Sequence, residues 1–342
     1  MKRTLLSLIL AALLLLSGCK AGQAVPASGE RYQASFLTLF DTVTTIIGYA
    51  ESKEAFTAQA QQIHDDLLIY HQLFDIYNTY PDIQNLKTVN DNAGIAPVQV
   101  DRKLIDLLLF CREIYDSTDG RVNAAMGSVL SLWHACRTEG IDDPESARLP
   151  EEAALKQAAE HTDFDAVCID PEAGTVFISD PLTRLDVGAV AKGYAVEQVC
   201  RSAPKGLLIS VGGNVCATGP RPDGTAWVVG IQNPNGGDNL HTLRITGGSV
   251  VTRGDSQRYY TVDGKQYHHI IDPDTGMPGT YWRSVTILCD DSGLADGLST
   301  ALFLLPQEEG QKLLDRFGAQ AMWVDAEGNE YLSPGFSDYI RT

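Results

Sequence analysis

The stretch from Gly254 to Gly276 leaves the chain little freedom of fold. Asp263-Gly264, a dipeptide suited to the positive φ of a type I′ turn, separates two arms, so 254–262 and 265–271 read as a β-hairpin. Asp272-Pro273-Asp274-Thr275-Gly276 then stops the second arm with a further turn. From His268 to Gly276 the sequence crowds in two imidazoles and two carboxylates, a density that points to a site. Strand alternation sends His268 and His269 to opposite faces, so a zinc site using both needs a bulge, and one of the two is expected to be structural. A histidine at a strand end beside a turn can face a cleft and titrate near neutral pH.

Around this hairpin the chain alternates β-like and helical stretches, with no clear repeat. Phe36 to Tyr49, rich in Thr, Val and Ile, reads as a strand pair or one long strand, and Ser52 to Leu73 carries apolar residues at helical spacing. Gln72 to Asn92 reads as loop. Helices are expected over Asp101–Thr118, from Asn123 to Trp133, and over Glu151–His161, Ala191–Arg201, Gly293–Leu305 and Glu308–Phe317. Strands are expected within Thr162–Ser179, at Arg184–Val187, Gly206–Val211, Trp227–Gln232, Thr242–Ile245, Ser249–Thr252, Ser284–Cys289, Ala319–Val324 and Glu330–Leu332. The class is mixed, α+β or α/β, centred on strands from the second half.

The N-terminus is a different kind of segment. Lys2 and Arg3, the apolar run Leu5 to Leu16 and Leu16-Ser17-Gly18-Cys19 have the order of a secretion signal, with an apolar core short for a bilayer span. Residues 1–18 are expected to be removed, and 19–32, rich in Ala, Gly, Ser and Pro, to form a tether before a domain over 33–342. Removing residues 1–18 takes two cations and no acids from a chain of net charge −18, leaving −20. Such a charge disfavours nucleic acid and anionic lipid as bulk electrostatic partners. Cys111, Cys136, Cys168, Cys200, Cys216 and Cys289 show no Cys-x-x-Cys spacing, and buried free thiols are the favoured reading.

Three more clusters bear on chemistry. Leu185 to Tyr194 delivers an acid, Asp186, to a Gly turn and then a helix start with Lys192 in its first turn, which suits an anionic ligand; packing alone also explains such junctions. Neither a Walker A loop nor a Gly-x-Gly-x-x-Gly fingerprint is present there. Val211-Gly212-Gly213-Asn214 lets a backbone approach a ligand or simply turns. Asp296 and Thr300, four apart on an expected helix, offer oxygens from one face that could hold a hard cation, although an Asp near a helix start is more often a cap.

Taken together and in order, these segments resemble the ApbE family of flavin transferases. Phe40-Asp41-Thr42 stands where that family often has Met-Gly-Thr, and Gly120-Arg121-Val122-Asn123 to Leu132-Trp133 resembles its Gly-x-Phe-Asp-Pro to Leu-Trp segment. Asp186 to Tyr194, Leu208 to Asn214, Gly254 to Pro273 and Ala295 to Leu302 follow its further motifs. The resemblance implies an α+β, T-fold-like mixed sheet core with flanking helices, and Mg²⁺-dependent transfer of FMN from FAD to a threonine of a redox partner, releasing AMP. It implies Mg²⁺ on Asp296, Thr300 and the carbonyl of Ala189. It implies FAD contacts by Phe40, Arg121, Val122, Asn123, Asp186, Lys192 and Ile271, with Tyr77 against the flavin ring and His269 as base. The lipobox-like register implies acylation of Cys19 and a protein anchored outside the cytoplasmic membrane. FAD hydrolysis, or a flavin-binding or solute-binding lipoprotein without turnover, are the alternatives. The sequence departs from the family pattern at Phe40 for Met, Asn123 for Asp, Asn214 for Asp and Arg253 for Ser.

Overall fold

The computed structural model describes residues 29–341, and the expected leader, Cys19 and most of the tether lie outside that range. Strand β1 (Glu30–Leu39) begins inside the stretch expected as tether and pairs antiparallel with β2 (Thr42–Ala50), so Phe36 to Tyr49 is a strand pair. The turn between them is Phe40-Asp41, with φ of 53° and 52°. A bulky residue rarely sits in the left-handed region. Here the Phe40 N–H donates to His71 Nδ1 at 3.3 Å and its ring meets the His71 ring edge-on at 5.4 Å. His71 lies on α1 (Lys53–Phe74), which starts where Ser52 accepts from the Ala55 N–H and buries Phe56, Ala60, Ile63 and Leu67 at helical spacing.

The chain continues through α2 (Leu86–Asp91), β3 (Val98–Gln99), α3 (Arg102–Ser117), α4 (Gly127–Asp142), α5 (Glu152–Ala159), β4 (Val167–Asp170), β5 (Thr175–Ile178) and α6 (Ala191–Ser202). Then follow β6 (Leu208–Val211), β7 (Asn214–Ala217), β8 (Trp227–Ile231), β9 (His241–Ile245), β10 (Gly248–Gly254), β11 (Tyr259–Val262) and β12 (Lys265–His268). Strand β13 (Ser284–Cys289), α7 (Ser292–Phe303), α8 (Gln307–Phe317), β14 (Gln320–Val324) and β15 (Glu330–Leu332) complete it.

Eight strands form one antiparallel sheet in the order β1-β2-β6-β7-β10-β13-β14-β15, so the class is α+β. Alternation along its central strands feeds two cores. Ile209, Val251, Val285, Ile287, Ala321 and Trp323 face α1, α3, α6 and α7, while Leu208, Val250, Leu288, Met322 and Val324 face the β8–β9 hairpin and Phe336. A third cluster packs Trp133 and Val129 of α4 against Tyr260 and Ile271, fixing the β11–β12 hairpin beside the sheet.

The type I′ turn stands as expected, with Asp263 at φ 50° and Gly264 at φ 78°. Other elements differ. The expected loop 72–92 contains α2, because Asn85 caps it by accepting from the Thr88 N–H at 3.1 Å while Leu86 and Val89 are buried. The helix expected from Asn123 starts at Gly127 and runs to Asp142, because the Asn123 side chain holds the preceding turn through the Ala125 N–H. Arg184–Val187 is not a strand: one bridge joins Arg184 to Met126, and the Asn90 amide takes both main-chain groups of Leu185, at 2.7 and 2.9 Å, in place of a ladder. The second hairpin arm stops at His268 rather than Ile271, where the Ile270 N–H turns back to His268 Nδ1. Gly212-Gly213 is the β6–β7 turn. Among the described residues no helix is long and apolar enough to cross a membrane.

Candidate active site

A cleft of about 1420 Å³ opens where the β1–β2 turn, the 75–78 loop, α4, the 184–192 junction, the β10–β12 segment and α7 converge. Small-molecule pockets commonly hold about 300–1,000 Å³, so this one has room for a dinucleotide. Phe40, Tyr77, Arg121, Val122, Asn123, Asp186, Ala189, Lys192, His269, Ile271, Asp296 and Thr300, singled out along more than two hundred residues of sequence, all line it.

The two histidines divide as strand alternation requires. His268 Nε2 donates to the Gly279 carbonyl at 2.8 Å, its Nδ1 accepts from Ile270, and its ring packs edge-on against Phe303, so both nitrogens serve the fold. His269 faces the cleft, with Nδ1 3.2 Å from the Arg258 carbonyl. A carbonyl only accepts, so Nδ1 carries the proton and Nε2 presents a lone pair to the cleft. Burial first, and then the cations Arg253, Lys192 and Arg258, hold its pKa well below the usual histidine range, which keeps the ring neutral.

The oxygen cluster forms where α6 meets α7. Gly193 permits the approach: a Cβ there would stand 2.3 Å from the Ser292 carbonyl and 2.5 Å from Asp296 Cβ. Its N–H donates to Asp296 Oδ2 at 2.9 Å, fixing a carboxylate that is 1% exposed. Asp296 Oδ1 and the Ala189 carbonyl converge on one point, since a single nitrogen, Arg253 Nη2, lies 2.8 Å from the first and 3.2 Å from the second. The donors therefore suit a cation, and a guanidinium nitrogen stands among them. The Thr300 hydroxyl is turned back onto the Asp296 main-chain carbonyl at 3.4 Å rather than joining the carboxylate. No group of three His, Cys, Asp or Glu residues able to hold a metal occurs among the described residues, so any metal here takes carbonyl and hydroxyl oxygens besides one carboxylate.

Elsewhere in the cleft the expected residues take unequal roles. Asp186 Oδ1 accepts from the Gly188 N–H at 2.8 Å, shaping the junction before α6, and Lys192 follows one turn on, its pKa lowered by burial. Tyr77, exposed at the rim, shares a hydrogen bond of 2.9 Å with His134 Nδ1, whose Nε2 is 3.9 Å from Asp186 Oδ2. Partial desolvation of its hydroxyl, reinforced by Asp186, pushes the Tyr77 phenol up to about 12, so it stays protonated. Arg121 is committed to Asp272 at 3.3 Å and Asp274 at 2.6 Å, tying its loop to the turn that follows His269. Both ends of the Asn123 amide serve backbone groups, of Thr162 and Ala125, and Val122 and Ile271 are buried. Asn214 Nδ2 is buried beside Gly193 without a partner. Sequence reasoning missed His134, Arg137 and Arg258 as cleft residues; His134 follows the Leu132-Trp133 pair by one residue, and only its place on α4 brings it to Asp186.

The ApbE family model matches residues 40–323, the span that builds the cleft and all of the sheet but its two edge strands. The chain belongs to the ApbE family. Within it, the chain is 34% identical to the FAD:protein FMN transferase of Treponema pallidum over 281 residues, 76% of each chain. It is 29% identical to a Klebsiella pneumoniae protein of the same description, over 97% of this chain and 96% of that one. The solved ApbE protein of Thermotoga maritima superposes with a TM-score of 0.80 at 28% identity, covering 92% of this chain and all of its own. A Vibrio cholerae flavin transferase, at 21% identity and a TM-score of 0.75, shares the fold.

Proposed function

We propose that this chain is an FAD:protein FMN transferase: it moves the FMN part of FAD onto a threonine hydroxyl of a redox protein outside the cytoplasm and releases AMP. The observation that carries the reading is His269, a neutral imidazole with its lone pair turned into a cleft whose floor is cationic at Lys192, Arg253 and Arg258. Attack on a diphosphate must overcome its negative charge and remove a proton from a weak nucleophile, and the cleft pairs cations with a base for those two tasks.

The acceptor hydroxyl forms a bond to the FMN-side phosphorus, its proton passes to His269 Nε2, and the bond between the two phosphates breaks so that AMP departs. Lys192, in the first turn of α6, and the positive end of that helix's dipole hold the diphosphate. Tyr77 and Phe40, which both line the cleft, offer faces to a flavin ring. Asp296, the Ala189 carbonyl and Thr300 are the groups that would hold Mg²⁺. When bound, the ion would supply charge neutralisation of the diphosphate. The Cys19 lipobox supports an exported, lipid-anchored enzyme.

The test is incubation of the protein with FAD, Mg²⁺ and a threonine-bearing acceptor, followed by mass spectrometry of the acceptor and assay of AMP. Covalent FMN with equivalent AMP is the expected result. FAD that stays intact overturns the reading, and FMN and AMP without labelling make the chain a hydrolase.

A further inference from the structure

The proposed reaction uses the charge of Arg253 but leaves its contacts with Asp296 and Ala189 unexplained. It stands on β10, in register with Val285 of β13, and reaches across to α7. Its Nη2 touches Asp296 Oδ1 and the Ala189 carbonyl, and its Nε donates to Ser299 Oγ at 3.1 Å. Because the Gly193 N–H occupies Asp296 Oδ2, both oxygens of the carboxylate already have donors from the protein itself. The two side chains are only 9% and 2% exposed, so solvent ions screen this pair little.

We infer that Arg253 and a divalent cation compete for the same two oxygens, so that the guanidinium closes the cation site of the ligand-free chain and must move off before a metal binds. Mg²⁺ bonds oxygen directly at about 2.0–2.1 Å and demands near-octahedral geometry, which it cannot have while a guanidinium shares its ligands. The charges add to the conflict: Asp296 and Asp186 together cannot neutralise Arg253, Lys192 and a dication. A diphosphate resolves it. Arginine binds phosphate through two parallel hydrogen bonds, so the FAD diphosphate offers the guanidinium another partner and frees Asp296 and Ala189. Substrate then opens the metal site, and metal and FAD bind cooperatively. That last step rests on the transferase reading; the competition itself does not.

The experiment measures Mn²⁺ binding to the whole mature chain, without nucleotide, by electron paramagnetic resonance. Wild type is compared with Arg253→Ser and with Arg253→Lys, which keeps the charge. The serine variant is expected to bind at least tenfold more tightly than wild type, with the lysine variant between them. Because Arg253→Ser leaves a buried carboxylate unpaired, its melting temperature should be low without metal and rise on adding Mg²⁺, while that of ligand-free wild type stays unmoved. Mn²⁺ binding within twofold across the three proteins overturns the inference, as does a serine variant that folds but gains no stability from Mg²⁺. AMP release from FAD by wild type is followed separately. Its absence with competition intact removes the transferase reading alone, and its presence with no competition removes this inference alone.

Discussion

Replacing Asp296 by alanine tests how the helix junction under the cleft is held. The carboxylate is 1% exposed and accepts from the Gly193 N–H at 2.9 Å and from Arg253 Nη2 at 2.8 Å. Its removal leaves a guanidinium that is 9% exposed without a counter-charge and an N–H without an acceptor. Breaking a buried pair by deleting one partner costs about 3–5 kcal/mol. An unsatisfied buried N–H adds about 1–3 kcal/mol. Arg253 keeps the Ala189 carbonyl and Ser299 and borders the cleft, so the lower ends apply, and Asp296→Ala should lose about 4 kcal/mol. Guanidinium denaturation at neutral pH without metal, followed by circular dichroism, reads this directly. Adding Arg253→Ser removes the stranded charge, so the double variant should be more stable than Asp296→Ala alone. A loss below about 1 kcal/mol, or simple additivity of the two substitutions, would refute the argument.

Three further outcomes are expected. His269→Ala should lose transfer by about 10²–10⁴-fold while FAD binding, read by flavin fluorescence, stays close to wild type; labelling at an undiminished rate would place the base elsewhere. His134, His268 and His269 are all held below the ordinary histidine pKa, chiefly by burial, so the unfolded chain binds protons that the folded chain refuses. Their contribution to stability is therefore full above the unfolded value of about 6.5 and is lost as pH falls through it; equal denaturation midpoints at pH about 7.5 and about 5.5 would contradict this. In a thiol titration of the native protein Cys168, exposed among the described cysteines, should react fast, whereas the buried Cys111, Cys136, Cys200 and Cys216 should react only on unfolding; fast labelling of any of these four would show the core to be open.

Where the chain's own neighbours decide a conformation, the sequence was readable. Asp263-Gly264 forms its turn from two residues that tolerate positive φ, and the spacing of Phe56, Ala60, Ile63 and Leu67 gives α1 its buried stripe. That His268 and His269 face opposite ways followed from strand period; which of the two serves the cleft came from the family resemblance. What stayed hidden depends on partners far away in sequence. Leu185 is held by Asn90 instead of a strand, and Arg121 is paired with Asp272 and Asp274, more than a hundred residues on. Arg253 was visible as a departure from the family's serine, yet only the meeting of β10 with α7 shows that its charge falls between Asp296 and Ala189.

The register of β1 also sets where chemistry can occur relative to a surface. The strand is already paired at Glu30, eleven residues after Cys19, so an acylated Cys19 would leave a leash of at most about 40 Å at about 3.3–3.6 Å per residue. The Phe40-Asp41 turn at the cleft mouth follows the other end of β1, a strand that spans nine residue steps or about 30 Å from Glu30. A lipid-anchored chain would thus reach no farther than about 70 Å from the bilayer, and an acceptor threonine would have to lie on a domain or loop within that distance of the membrane.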